Sequence, residues 1–162
     1  AVCGLSRSLA CLTDSFDASA SAMTAAIRDG RAAEHFGRMI FAMGGPVRFV
    51  ENYARFLPEA NVIREFTANR SGVIAAFDGE AMGHAVIALR GGRQVETDVI
   101  DPSVGLSDIL PLGQRVMAGE PLLRILAGRS EHADHAAVIL HTAIRIEDTA
   151  PNTPPLIHER IA

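Results

Sequence analysis

The sequence predicts an α+β fold: helices over residues 1–58, then a small mixed α/β domain with barrel-sandwich-like strands over 59–147, then an extended tail over 148–162. Three observations carry this. Phe36, Met39, Ile40 and Met43 recur at the i, i+3, i+4, i+7 spacing of one helical face. After Leu57-Pro58 the texture turns extended, with Val62–Phe66 and Gly72–Phe77 reading as two strands joined by an Asn69-Arg70-Ser71 turn. The glycine-punctuated run Leu112-Gly-Gln-Arg-Val-Met-Ala-Gly-Glu-Pro-Leu-Leu123 alternates short strands with tight turns, as barrel-sandwich modules do.

The helical part begins without an initiator methionine and with an apolar face already running from Ala1, so the chain reads as a fragment that enters a helix part-way along. Asp17 is placed to cap a helix over Ala18–Asp29, with Met23, Ala26 and Ile27 on one face and Gly30 as its stop. The Phe36 stripe marks a second helix, ended by Gly44-Gly45-Pro46. A third, over Val47–Phe56, would turn Phe49, Val50, Tyr53 and Leu57 inward. If the Phe36 stripe is buried, a charge at Phe36 or Met39 costs several kcal/mol.

Beyond the two strands, Asp78 is a helix N-cap, Met82, Ala85, Val86 and Leu89 form the buried stripe, and Gly91-Gly92 terminates the helix. A loop with Asp101-Pro102 and an apolar segment near Val104–Leu112 follow. Pro121–Ala127 reads as a strand. Glu131–Thr142 reads as a helix with Ala133, Ala137 and Leu140 inward, and Ile144–Ile146 as a final extended piece. Pro151, Pro154 and Pro155 exclude regular helix in the tail.

Composition narrows the function classes. With 48% hydrophobic and 21% charged residues in 162, the chain has enough apolar content for a folded core. A net charge of −4 gives no attraction to nucleic acid or anionic membranes, so neither is expected as a partner. All 15 basic residues are arginine. Without lysine the chain offers no Schiff base, no Walker-type phosphate lysine and no biotinyl or lipoyl attachment, so the likeness to carrier domains is architectural only. Cys3 and Cys11 fit neither a disulfide framework nor a zinc spacing. No run approaches the ~18 apolar residues of a membrane span, and no secretory leader is recognisable. A cytoplasmic protein is expected, in which the Asn69-Arg70-Ser71 sequon is a chance match.

Candidate chemistry is sparse. His132 and His135, three apart with Glu131 beside them, are spaced to share a metal, but no third ligand lies nearby and the surface reading is preferred. His35, between Glu34 and Arg38, reads as solvated; His84, among apolar neighbours, as a satisfied core or interface histidine. His141 and His158 show no pattern. Asp98 and Asp101 are spaced as an acid–base pair, yet Asp101-Pro102 is an ordinary turn opener and the turn is favoured. Gly91-Gly92-Arg93 is a poor anion site because a helix C-terminus has the wrong dipole sign. Ser71 and Ser103 lack a histidine partner, and no nucleophile elbow is present.

Several blocks in fixed order add a resemblance. The run from Gly30 to Pro58, including Val50-Glu-Asn-Tyr-Ala-Arg-Phe-Leu-Pro58, together with Ile100–Gly105, Leu112–Leu123 and the terminal Ile157–Ala162, resembles the carboxy-terminal third of bacterial thymidine phosphorylases. Met43 and Gly44 depart from that pattern, and arginine stands where lysine is common. The resemblance implies a pentosyltransferase that interconverts thymidine and phosphate with thymine and 2-deoxyribose 1-phosphate, as a homodimer, with phosphate as co-substrate and no cofactor. It makes residues 1–58 the last helices of a large phosphate-binding α/β domain and the remainder a small domain behind it, partnered by the amino-terminal part of the same protein.

Phosphorolysis needs a cradle of donors for phosphate and a group that stabilises the departing base. In the family both sit in a glycine-rich stretch with lysine, serine and threonine, and in a histidine with arginine, serine and lysine. No position here matches those motifs, so no catalytic, phosphate-binding, substrate-binding or metal-binding residue is assigned, and this part is expected to be inactive alone. Two other readings stay open: a stand-alone structural or regulatory module, and a piece of a nucleoside or nucleotide phosphorylase of different specificity.

Overall fold

A computed structural model describes residues 15–152, Pro155 and Glu159. The readings placed on Ala1, Cys3, Cys11, His158 and most of the tail lie outside the described residues. The chain divides into two units, Ala1–Leu57 and Pro58–Ala162.

The described part of the first unit is helical. α1 spans Phe16–Arg28, and its cap is Ser15 rather than Asp17: the Ser15 backbone is extended and its hydroxyl oxygen accepts from the Ala18 amide at 3.2 Å, which leaves Asp17 inside the first turn. Gly30 takes the left-handed conformation at φ 87° between α1 and α2, Arg31–Ala42. Asp29 steadies that turn, accepting from the Arg31 amide and its Nε at 3.1 Å each.

The stripe on α2 has the expected spacing but not the expected burial. Phe36 and Met39 are 45% and 49% exposed, Met43 lies just past the helix at 68%, and α2 holds no buried residue. Periodicity reports which residues share a face; the described residues cover this one only in part, with Phe49 against Phe36 and Ile40 half-buried. The third helix is also shorter than the pattern implied. α3 is the single turn Tyr53–Phe56, because Arg48 adopts φ 59° and breaks the helical path. Tyr53 and Leu57 are exposed rather than inward, while Phe49 is half-buried between Phe36 and Phe56, with ring centroids 6.2 Å from each.

The second unit contains β1 Val62–Thr67, β2 Gly72–Phe77, α4 Gly79–Ala88, β3 Gly105–Ser107, β4 Arg115–Val116, β5 Pro121–Ala127, α5 Ser130–Ala143 and β6 Ile144–Glu147. It is α+β: two helices and two antiparallel three-stranded sheets, ordered β1-β5-β3 and β4-β2-β6. β1 and β2 form where the pattern put them, but they do not pair with each other. The ladder of β1 shifts register at Phe66 and Thr67; Ala68 then donates to the Glu120 carbonyl at 2.8 Å and accepts from Gly119 at 2.8 Å. The connection is thereby held to the turn before β5, and the chain crosses into the second sheet instead of closing a hairpin.

The glycine-punctuated run folds as turns around a two-residue strand. Gly113 and Gly119 take positive φ on either side of β4, which pairs with β2. Gly72 is needed for a different reason: a Cβ there would lie 2.5 Å from the Glu147 carbonyl oxygen of the neighbouring strand.

One apolar cluster joins both sheets and both helices, with Ile74, Leu89, Leu123, Ile125 and Leu140 at its centre. α4 follows its pattern. Asp78 caps it, accepting from Ala81 at 3.0 Å, and Ala85 and Leu89 are fully buried. Its end is a Schellman closure, with Gly91 donating to the Val86 carbonyl at 2.9 Å and Arg90 to the Ile87 carbonyl at 2.8 Å. The left-handed residue there is Arg90, at φ 72°. Gly91 supplies room instead, since its Cβ would meet Val86 Cγ1 at 2.9 Å. On α5 the buried face is Ala133, Ala136, Leu140 and Ala143, with Ala137 at its half-buried margin rather than inward.

These burials rank substitutions. Leu140→Ala should destabilise the second unit by about 2–5 kcal/mol through lost transfer energy and a cavity, and Ala136→Leu by about 1–3 kcal/mol through overpacking. Met39→Asp, on a half-exposed side chain, should shift the urea midpoint of this chain far less than Leu140→Ala. A larger shift for Met39→Asp would mean that the α2 face is covered.

Candidate functional site

Among the concave surfaces of the described residues, one in each unit is considered for function. In the first, a groove of about 520 Å³ runs between α2 and the turns that follow, floored by Ala33, Gly37, Phe41, Val47 and Val50. Glu34 and Arg38 on its border approach at 3.5 Å across one helical turn, an exposed pair worth little. Its lining is mostly apolar, with Glu34, Arg38, Arg48 and Glu51 as its charged residues.

The second is built where the end of α4, the loop after it and the first turns of α5 meet. Two adjoining hollows of about 380 and 530 Å³ share Arg90, Val99 and His132; Gln94, Asp98 and His135 border one, and Asn61, Asp101 and Arg129 the other. Arg90 is the residue that sequence reasoning missed. The available signal was an arginine immediately before Gly91-Gly92, at the position that reverses the chain after a helix and points its side chain away from the helix axis.

The loop from Gly92 to Ser103 is shaped by its two aspartates. Asp98 accepts from the Gln94 amide at 2.9 Å and the Val95 amide at 3.2 Å. Asp101 accepts from the Ser103 amide at 2.9 Å and the Ser103 hydroxyl at 2.6 Å, while its own amide donates to the Arg90 carbonyl at 2.9 Å. The Asp101 arrangement is an Asx-turn, while Asp98 ties back to amides three and four residues before it. The two backbone donors hold the Asp98 carboxyl below the usual aspartate range, with lesser help from the charges of Arg90 and Arg93. Asp101 is lowered in the same way, first by the Ser103 hydroxyl and amide and then by Arg90. Neither carboxylate is poised to share or carry a proton near neutrality, as the turn reading expects.

The other candidates fall into place individually. Ser103 donates to Asp101, and the Ser71 hydroxyl accepts from the Ala118 amide at 2.9 Å, so both hydroxyls serve turns. His132 and His135 share the α5 border of the groove, but among the described residues no group of three or more histidine, cysteine, aspartate or glutamate side chains is placed to hold a metal. His35 is exposed on α2 as expected. His84 is exposed on α4 and so is not a core histidine: the buried stripe of α4 runs through Ala85 and Leu89, and His84 falls outside it. His141 lies 4.8 Å from the Phe66 ring. Gly91 and Gly92 lie past the end of α4, where carbonyls rather than amides face outward. None of the described helices is long and apolar enough to cross a membrane.

Among the described residues these hollows bring together no acid–base or nucleophile pair. Residues 73–147 match the family model of the pyrimidine nucleoside phosphorylase C-terminal domain. The matched stretch runs from β2 to the end of β6, just under half the chain, and takes in both helices of the second unit and the whole of the loop. Over these residues the second unit is similar to the C-terminal domain of pyrimidine nucleoside phosphorylases.

The loop chemistry sets a pH expectation. A carboxyl whose folded pKa is depressed contributes stability that is present above its unfolded value and is lost as pH falls through the folded one. The amide resonances of Gln94, Val95 and Ser103 should therefore titrate with midpoints below the ordinary aspartate value of 3.8. Titration of these amides at or above that value would show that the two carboxylates do not hold the loop.

Proposed function

We propose that this chain is the carboxy-terminal part of a thymidine phosphorylase, and that its role is to complete and brace the large domain of that enzyme. The observation that carries the reading is the match of residues 73–147 to a domain described as the C-terminal domain of pyrimidine nucleoside phosphorylases. The block Val50–Pro58, which resembles the thymidine-type branch, supports the finer assignment. The uncovered apolar side chains of α2, Phe36 and Met39 among them, suit a helix that lies against further parts of a larger domain.

On this reading the reaction transfers a 2-deoxyribosyl group from thymine to inorganic phosphate. Phosphate and base are held by other parts of the enzyme, which needs no cofactor and works in the cytoplasm as a homodimer. A rigid second unit serves such an enzyme by giving a moving domain a fixed shape, so that closure brings phosphate and nucleoside together and excludes water. The one apolar cluster that ties both sheets to both helices is suited to that stiffness.

The test compares this 162-residue chain with the product of the complete reading frame, each incubated with thymidine or uridine, with and without phosphate. Thymine release that requires phosphate is expected from the complete product only, and faster than uracil release. Equal release of both bases would replace thymidine specificity with a broader pyrimidine nucleoside activity. A complete product with neither activity would overturn the reading and leave a structural module.

A further inference from the structure

We draw no further inference here: the strongest candidate, the groove at the first turn of α5 bordered by Arg90, Arg129, His132 and His135, is a helix N-terminus whose arginines already face the carboxylates of Asp98, Asp101 and Glu131, and no buried unpartnered polar group among the described residues points from it to a ligand.

Discussion

The second unit depends on the closeness with which α5 sits against its neighbours. Its inner face is made of three alanines, Ala133, Ala136 and Ala143, with Leu140 among them, and all four are at most 1% exposed. Small side chains let a helix axis approach a facing element closely. α4 meets this face with Ala85 fully buried and Leu89 beside it in the cluster. The Asp78 amide, at the start of α4, bonds to the Ala143 carbonyl at the end of α5 at 2.8 Å. One helix thus fixes the place of the other, and β6 follows α5 without a loop. The second sheet is thereby carried at the end of the same rigid piece.

That arrangement also explains why the loop between α4 and β3 is ordered by its own aspartates. The loop returns over the start of α5 with Val95 and Val99 exposed, so it has few apolar contacts of its own to hold it. Asp98 and Asp101 substitute backbone hydrogen bonds for a core. These bonds hold both carboxyls below the usual aspartate range, so neither carries a proton near neutrality. The same side chains that resemble an acid–base pair in the sequence are therefore structural, a distinction set by where their oxygens point and not by their spacing. The exposed ion pairs, Arg124 with Asp108 at 3.2 Å and Arg64 with Asp134, add little to stability by comparison with this wiring.

Most elements were legible because their signals are local. The Asp78 cap, the Ala85 and Leu89 stripe, the β5 run and the second α5 boundary each follow from side chains within a few residues of one another. Failures came where a distant partner decides. β1 and β2 were legible as two strands joined by a turn, but not their pairing: the bonds of Ala68 to Gly119 and Glu120 send them into different sheets. His84 sits among apolar letters but projects away from the face that α4 buries. On α2 the stripe is correct as a pattern and exposed as a surface, because burial belongs to the pair of surfaces and not to the helix alone.

The division between the two sources is physical. By itself the sequence determined the α+β class, the position of α4, α5, β1, β2, β5 and β6, the turn reading of the Asp98–Asp101 loop, the want of lysine chemistry, and a likeness to phosphorylase carboxy-terminal regions that the match over residues 73–147 supports. Caps, periodicities and turn residues act over one or two helical turns, so they can be read along the chain. Only the tertiary structure decided which strands pair, that Arg90 and His132 border one groove, that Ser15 rather than Asp17 starts α1, and which apolar faces are covered. Those outcomes depend on contacts between residues far apart in sequence, where hydrogen-bond geometry and close packing choose among arrangements that the local signals leave equal.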